Sequence, residues 1–400
     1  MKGSLLSLNA GSSSVKFALF ALFDAANRLT ATVRGEIDDL DSTPHLTARD
    51  AAGKVLAEKR LPAAGFDLAL HTLLDFADAH LGHDGLTAVG HRVVHGGADH
   101  IAPELVTPAL LTELEALTPL DPLHMPDILE QIRAVAAARP ALMQVACFDT
   151  AFHHTMPSVA ERFALPRAIS IQGVRRYGFH GLSYENIAGR LALQSPALAN
   201  GRVVVAHLGS GASLCALKGG KSIDTTMGFS ALDGLVMATR CGLLDPGVIL
   251  HLGRQGHSFA DIEDMLYRRS GLLGVSGISG DVRVLLASSD PHAREAIELF
   301  TYRIAAEAGA LICALGGLDG LVFTAGIGEH APAIRSAICG RLGWLGLRLD
   351  DAANAAGADR ISASDSAIEV RVMATDEEAM IAHHTRAAIL RARTCQGLRS

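Results

Sequence analysis

Residues 203–217 read VVVAHLGSGASLCAL. Three consecutive valines suit a buried strand, because β-branched side chains pack well on a pleated surface. The apolar run after Ala212 suits a second strand. Between them, Gly209 and Gly211 are expected to adopt torsions closed to other residues, so that the chain reverses with its N–H groups turned outward. A nest of amides of this kind holds an anion. Residues 5–20, LLSLNAGSSSVKFALF, repeat the plan near the start of the chain: apolar strand, Gly/Ser turn at 10–14, apolar strand. Two phosphate-sized turns about half a chain apart predict two related domains facing one anionic ligand.

The chain has 400 residues, 49% hydrophobic and 19% charged. That length exceeds a usual single core, so two domains are expected. The composition is that of a globular chain. A net charge of −7 argues against a general binder of nucleic acid or of anionic membranes. An anionic ligand must then be met by individual cations. The six cysteines, Cys147, Cys215, Cys241, Cys313, Cys339 and Cys395, form no CxxC pair and sit mostly in apolar runs. A reducing cytoplasm fits that usage. No signal peptide is expected, since Asn9 and the Ser/Gly run break the first apolar stretch early. No uncharged apolar segment reaches the roughly 18 residues of a membrane span.

Residues 28–61 alternate apolar and polar positions, as meandering antiparallel strands do. Residues 66–81 carry apolar side chains at helical spacing, and 88–95, AVGHRVVH, read as a strand leading into Gly96 and Gly97. Thr107 and Pro108 make a helix start, a cap followed by proline in the first turn, with the helix ending near Thr118. Three prolines in PLDPLHMP, 119–126, predict a stiff loop carrying Leu123 and His124. Helix is expected at 126–138 and strand at 144–148, ending at Asp149, where a domain boundary is placed. Further helices are expected at 184–193, 245–255, 291–314, 332–341 and 375–393, with a polar loop at 276–283. The last helix is expected to pack back on the first domain and clamp the halves. The domains are then 1–149 plus 379–400, and 150–378.

A strand at 321–324 runs into AGIGEH, where Gly326 and Gly328 let backbone approach a ligand ahead of a helix N-terminus. Alone, a GxG after a strand is more often only a tight turn. With the two Gly/Ser hairpins, a nucleotide site is the better reading. His91 and His95 do not make a metal pair, because four residues along a strand span roughly 13 Å, and no HExxH motif occurs.

LNAGSSSVKF, HRVVHGG, FDTAFHHTMP, YGFHG, HLGSGAS, TTMGF, SGISGDVR, FTAGIGE and the late DEE resemble, in order and over nearly the whole chain, the motifs of the acetate kinase family. The resemblance implies an α/β fold of two duplicated actin-like, ribonuclease H-like domains, with mixed sheets flanked by helices and the ligand cleft between them. It implies direct, reversible transfer of the γ-phosphoryl group of ATP to acetate, giving acetyl phosphate and ADP, with Mg2+ or alternatively Mn2+. It also implies a cytoplasmic homodimer formed through the second domain. The apolar face of 291–314 suits that dimer or core packing equally.

Phosphoryl transfer needs alignment, a metal and positive charge over the moving oxygens. By family position Arg92 grips the substrate carboxylate two-pronged, as a guanidinium can. The rival reading for an arginine between valines is a structural ion pair. Arg240, in MATRCG, and His180 stabilise the phosphoryl group in flight; His180 could instead be a satisfied core histidine. Asp149 is catalytic by position. A short carboxylate is already ionised and needs no general base, so orienting an arginine or a metal-bound water is the expected role. Asn9 and Glu377 are the metal positions. Thr375 and Glu378 also spell a capping box, which would put Glu377 in the first turn of a helix; both readings hold together. Lys16 faces the phosphates or solvent. His207, Leu208, Gly209, Ser210 and Gly211 are nucleotide contacts, as are Asp281, Val282 and Arg283, and Gly326, Ile327, Gly328, Glu329 and His330. Val94, Leu123 and Ala231 line the acyl pocket.

Three positions depart from the family pattern: Ser210 and His330 each stand where it has Asn, and Ala231 where it has Pro. Losing the proline ring widens the pocket, so propionate is expected to be accepted while acetate stays best. The rival functions are a propionate or butyrate kinase and a non-catalytic, actin-like ATP-binding switch. The switch needs neither Arg92 nor Arg240.

Overall fold

Leu5 and Leu6 are consecutive and both buried, but they serve opposite faces of one sheet, as the two-residue period of a strand requires. Leu6, Leu8, Phe17 and Leu19 pack with Leu70, Leu73 and Leu74 of the helix Phe66–Leu81. Leu5, Ala18 and Phe20 pack with Ala382 and Ile389 of the last helix, Glu377–Gly397. Each fully buried side chain of this size contributes about 1.5–3 kcal/mol. The same alternation puts Asn9 and Lys16, which are register partners, on the face that carries the last helix.

The computed structural model describes residues 3–11, 14–22, 29–40, 42–62, 66–81 and 85–397. Ser12 and Ser13 of the first Gly/Ser turn lie outside the described residues, as does the side chain of Cys395. Contacts divide the chain into Met1–Ala151 with Asp376–Ser400, and Phe152–Thr375.

The first unit holds β1 (Ser4–Ala10), β2 (Val15–Ala21), β3 (Thr30–Asp38), β4 (His45–Asp50), β5 (Val55–Arg60), β6 (Leu86–Val93), β7 (Glu104–Leu105) and β8 (Met143–Phe148). They form one sheet in the order β5-β4-β3-β2-β1-β6-β8-β7. The second unit holds β9 (Arg202–Leu208), β10 (Ala212–Lys218), β11 (Lys221–Thr225), β12 (Gly320–Thr324) and β13 (Glu369–Val372), in the order β11-β10-β9-β12-β13. In each sheet an antiparallel three-strand meander is followed by two parallel strands: β3-β2-β1 then β6 and β8, and β11-β10-β9 then β12 and β13. The two sheets therefore share one topology, and the repeated hairpins are its first two strands. This is the duplicated ribonuclease H-like, actin-like α/β architecture.

Local signals account for most helix starts. Thr107 Oγ1 accepts from Leu110 N at 3.1 Å and Pro108 opens the helix Pro108–Ala116. Asp290 caps Pro291–Leu315 in the same way, ahead of a proline. Phe300, Ile304, Ala308, Leu311 and Leu315 of that helix are buried, so its apolar face belongs to the core of the second unit. Two readings need correction. Residues 276–283 are not all loop: Ser276 ends the helix Gly271–Ser276, and Asp281 caps Val282–Ala287, so Val282 and Arg283 are helical. AGIGEH is not a turn ahead of a helix but is itself the helix Ala325–His330. Ala325, not a glycine, takes the left-handed torsion there, with φ of 63°.

Among the described residues, no helix is long and apolar enough to cross a membrane. Gly90 on β6 is required by close approach: a Cβ there would lie 2.0 Å from Thr385 Oγ1 and 2.6 Å from Ile381 Cγ2 of the last helix. Gly189, within the helix Gly181–Gln194, faces open space. Gly90→Ala is therefore expected to lose about 1–3 kcal/mol by overpacking, and Gly189→Ala to gain about 0.5–1 kcal/mol. Urea unfolding of the two variants measures both; equal midpoints would refute the packing assignment.

Candidate active site

In the first unit, Asn9, Arg92 and Asp149 stand at the C-terminal ends of the parallel neighbours β1, β6 and β8. That edge is where open α/β sheets place their ligands. Asp149 N donates to Val93 O at 2.9 Å, which ties the ends of β6 and β8 together. Arg92 donates to Asp149 Oδ2 from Nε at 2.8 Å and from Nη2 at 2.5 Å. Its Nη1 lies 3.4 Å from both Asn9 Oδ1 and Ala10 O. Asp149 is wholly buried, while the Arg92 side chain keeps 16% of its surface exposed. Burial works against the charge of Arg92, but Asp149, then Glu377 and Asp121, outweigh it and raise its pKa.

Asn9 Nδ2 donates to Glu377 Oε2 at 2.9 Å and to Glu378 Oε1 at 3.0 Å. Burial, then the charge of Glu377, pushes the Glu378 carboxyl up. Thr375 does not cap this helix. Asp376 Oδ1 accepts from Ala379 N at 3.0 Å and is the cap, while Glu378 is drawn to Asn9 and cannot close a capping box. Arg34 grips Asp376 through Nη1 at 3.0 Å and Nη2 at 2.5 Å, and lies 3.9 Å from Glu378. Among the described residues no three His, Cys, Asp or Glu converge as a metal cage. The two crowded carboxylates are nevertheless hard oxygen donors, while Asn9 turns its amide nitrogen to them and its oxygen to Arg92. They fit a Mg2+-like ion, which keeps most of its own water and few protein ligands.

Lys16 is exposed and lines, with Arg34, Arg49, Thr47 and Glu378, an open cavity of about 670 Å3. Val94 is buried. Leu123 lies between the short turn Thr118–Leu120 and the helix Met125–Ala138, beside His124, whose Nδ1 bonds Asp121 Oδ1 at 2.9 Å. His91 and His95 are structural. His91 Nε2 bonds Gln144 Oε1 at 2.7 Å, His95 Nδ1 accepts from Gly97 N at 2.9 Å, and burial pushes both down to about 4.

In the second unit, β9 and β10 pair Leu208 with Ala212 and leave residues 209–211 as the turn, closed by Gly209 N donating to Gly211 O at 3.0 Å. Neither glycine has positive φ. The expectation of torsions closed to other residues at Gly209 and Gly211 therefore fails. A Cβ built on Gly211 would lie 3.4 Å from His180 Nε2 and 3.5 Å from Arg240 Nη2. Two candidate catalytic side chains thus flank the tip of the turn. Arg240 is held from behind by Nη1 donating to Ala231 O at 2.8 Å. Ala238 N donates to Ser210 O at 3.1 Å, which docks the 237–242 loop on the turn. His180 precedes the helix Gly181–Gln194 in a left-handed conformation, φ 59°, and stacks on His207 with ring centroids 4.2 Å apart.

The other nucleotide candidates are placed less evenly. Asp281 and Arg283 bond each other on the surface at 2.6 Å, which lowers the Asp281 carboxyl. His330 is 80% exposed. Glu329 Oε1 accepts from Thr375 N at 3.2 Å. Gly326 faces open space, Gly328 is buried, and Ile327 lies between them on the same short helix.

Several residues outside the sequence-based set hold this arrangement. Buried Arg335 donates from Nη1 to Gly328 O at 2.9 Å and Glu329 O at 2.8 Å, and its Nε and Nη2 are fixed by Asn354. Arg34 braces the start of the last helix. Ser213 and Tyr184 hold His180, and Ser183 holds His207. Helical spacing could have found Ser183 and Tyr184, three and four residues after His180. Nothing local points to Arg34 or Arg335.

The sequence profile of the acetokinase family matches residues 4–383. A protein named acetate kinase from Rhodopseudomonas palustris (strain TIE-1) is 54% identical over 389 residues, covering 96% of this chain and 98% of that one. One of the same name from Nitrobacter hamburgensis is 50% identical, covering 97% and 96%. Among solved structures, a propionate kinase from Francisella tularensis superposes with a TM-score of 0.89 at 36% identity, covering 96% and 98%. Porphyromonas gingivalis acetate kinase gives 0.84 at 34% identity, covering 97% and 100%. With its motifs in order from end to end and relatives matched along nearly their full length, the chain belongs to the acetokinase family.

Proposed function

We propose that the chain catalyses reversible transfer of the γ-phosphoryl group of ATP to acetate. The observation that carries this reading is the meeting at Gly211, where a phosphate-type turn, an imidazole nitrogen and a guanidinium nitrogen share one corner. An ATP-binding switch needs the turn but not the two donors.

Acetate binds as the anion to Arg92, whose Nε and Nη2 are already fixed by Asp149. The 3.4 Å contacts of Nη1 are weak enough to yield to a carboxylate oxygen. One acetate oxygen forms a bond to the γ-phosphorus. The bond from that phosphorus to the bridging oxygen breaks, and ADP leaves with the electron pair. No proton transfer is needed, because the attacking carboxylate is already ionised. Charge on the equatorial oxygens is met by Arg240 Nη2 and His180 Nε2, and amides of the 209–211 turn hold the neighbouring phosphates. Lys16, His207, Asp281, Val282, Arg283 and residues 326–330 complete the nucleotide contacts in this reading. Asn9, Glu377 and Glu378 would hold Mg2+, with Mn2+ as the alternative. When bound, the ion neutralises charge shared between phosphates. A cytoplasmic location goes with the reading, since ATP and reduced thiols occur together there; five free cysteines are present among the described residues.

Trapping acyl phosphate with hydroxylamine, after ATP, Mg2+ and acetate are added, should give product that chelation abolishes. Arg240→Ala should lower kcat about 10²–10³-fold. Arg92→Ala should raise KM for acetate roughly 10–150-fold, the worth of a charge-assisted bond. No product with any short acid would hand the chain to the switch reading.

Ala231 favours a second, broader specificity. Its carbonyl is used by Arg240, but its side chain is smaller than the proline ring of the family pattern. One methylene changes discrimination by about 1–3 kcal/mol, so propionate should be used with kcat/KM roughly 10–200-fold below acetate. A higher value for propionate than for acetate would reverse the assignment.

We also propose a homodimer through the second unit. Supporting it are apolar side chains exposed on other helices of that unit, among them Leu250, Phe259 (89% exposed) and Leu286. Light scattering should give twice the 41.9 kDa of one chain; a monomer mass at micromolar concentration would exclude a stable dimer.

A further inference from the structure

We propose that Ser213 and Tyr184 are positioning residues that fix His180 as the tautomer carrying its proton on Nε2, the nitrogen that faces the phosphate turn. The inference rests on the phosphoryl-transfer reading and deepens it.

Two elements build the arrangement. The helix Gly181–Gln194 and the residue before it present His180, Ser183 and Tyr184 on one side, at helical spacing. Strands β9 and β10 present His207 and Ser213, which are direct register partners. The sets interlock. His180 Nδ1 bonds Ser213 Oγ at 2.8 Å, and Tyr184 Oη bonds the same oxygen at 2.5 Å. Ser183 Oγ bonds His207 Nδ1 at 2.8 Å, and the two imidazoles stack at 4.2 Å with planes 19° apart. Ser213 and Tyr184 are fully buried. The ring of His180 is thus held on one face by His207 and at one nitrogen by Ser213.

A serine hydroxyl has one proton to give. Between Tyr184 and a neutral His180 imidazole it supports two proton arrangements. In one, Tyr184 donates to Ser213 and Ser213 donates to Nδ1, so Nε2 carries the ring proton. In the other, Nδ1 donates to Ser213 and Nε2 is a bare lone pair. A phenol, with pKa about 10, is the better donor of the two hydroxyls, which favours the first. So does the destination of Nε2. It points at the tip of a turn that receives phosphate oxygens, where a lone pair repels and an N–H donates. The relay sets that polarity before any substrate arrives, so no reorientation is needed during transfer.

The test combines nitrogen NMR of 15N-histidine enzyme with kinetics. The His180 signals are assigned by subtracting the spectrum of His180→Gln. In the native protein at neutral pH, Nδ1 should show the shift of an unprotonated ring nitrogen and Nε2 that of a protonated one. Tyr184→Phe keeps the ring volume and should return His180 toward a mixture of tautomers. Ser213→Ala should do so fully and lower kcat about 10–100-fold, the usual cost of removing the partner that orients a functional histidine, with KM for ATP and acetate nearly unchanged. Ser213→Thr, which keeps the hydroxyl, should recover most of kcat. An unprotonated Nε2 in the native protein, or full kcat in Ser213→Ala, overturns the proposal. If no acyl phosphate forms at all, the function fails, while the spectrum still decides the tautomer.

Discussion

The ion pair between Arg92 and Asp149 sets the geometry of the first unit's site. Asp149 has no exposed surface, so its charge is tolerable only while the guanidinium is present. Removing one partner of such a pair costs about 3–5 kcal/mol, because the other charge stays buried alone. The pair also fixes direction. With Nε and Nη2 turned to Asp149, the remaining Nη1 edge must face Asn9 at the end of β1. One arginine therefore sets the relation of three strand ends. The ion pair shown for Arg92 does not exclude the proposed grip on a substrate carboxylate. The first holds the fork still, and a fork already held loses less freedom when a carboxylate arrives.

Left-handed backbone occurs at His180, beside the organising turn, and not at the glycines of that turn. Gly209 and Gly211 have ordinary torsions. A Cβ at Gly211 would meet His180 and Arg240 at ordinary van der Waals distance, so the turn sits directly against both side chains. Among the described residues the non-glycine positions with positive φ are Asp39, His180 and Ala325. Left-handed backbone costs a non-glycine residue roughly 1–2 kcal/mol. At His180 the stack on His207 and the bond to Ser213 offset that cost.

Much of this was legible in the sequence because it is encoded locally. The period-two runs of β1, β2, β9 and β10, and the cap-then-proline starts at Thr107 and Asp290, need no distant partner to take effect. The motifs pointed to Arg92, Asp149 and His180, each at the end of a strand or the start of a helix, and to Arg240 in the 237–242 loop. What escaped was decided over long sequence distances. AGIGEH has the composition of a turn. It is helical, and its last carbonyls are held by Arg335, which Asn354 in turn holds. Thr375 matched a cap as well as Asp376 did. The choice was made by Arg34 and Asn9, more than three hundred residues earlier, because they claim Asp376 and Glu378.

The carboxylates at 376–378 show how one short segment meets several demands at once. Negative charge at the start of a helix is favoured by the helix dipole, but three adjacent carboxylates repel one another. Arg34 balances Asp376, and Asp376 also caps the helix. Glu377 and Glu378 are left sharing one amide, that of Asn9, which offers two protons and no charge. Burial first, and the neighbouring charge of Glu377 second, push the Glu378 carboxyl up despite the bond from Asn9. A divalent cation with its own water would relieve the repulsion without a further protein ligand. A third carboxylate would make a tighter cage, but it would also compete with the phosphates for the ion. A sparse pair leaves coordination positions for the nucleotide, which is what a phosphoryl-transfer site requires.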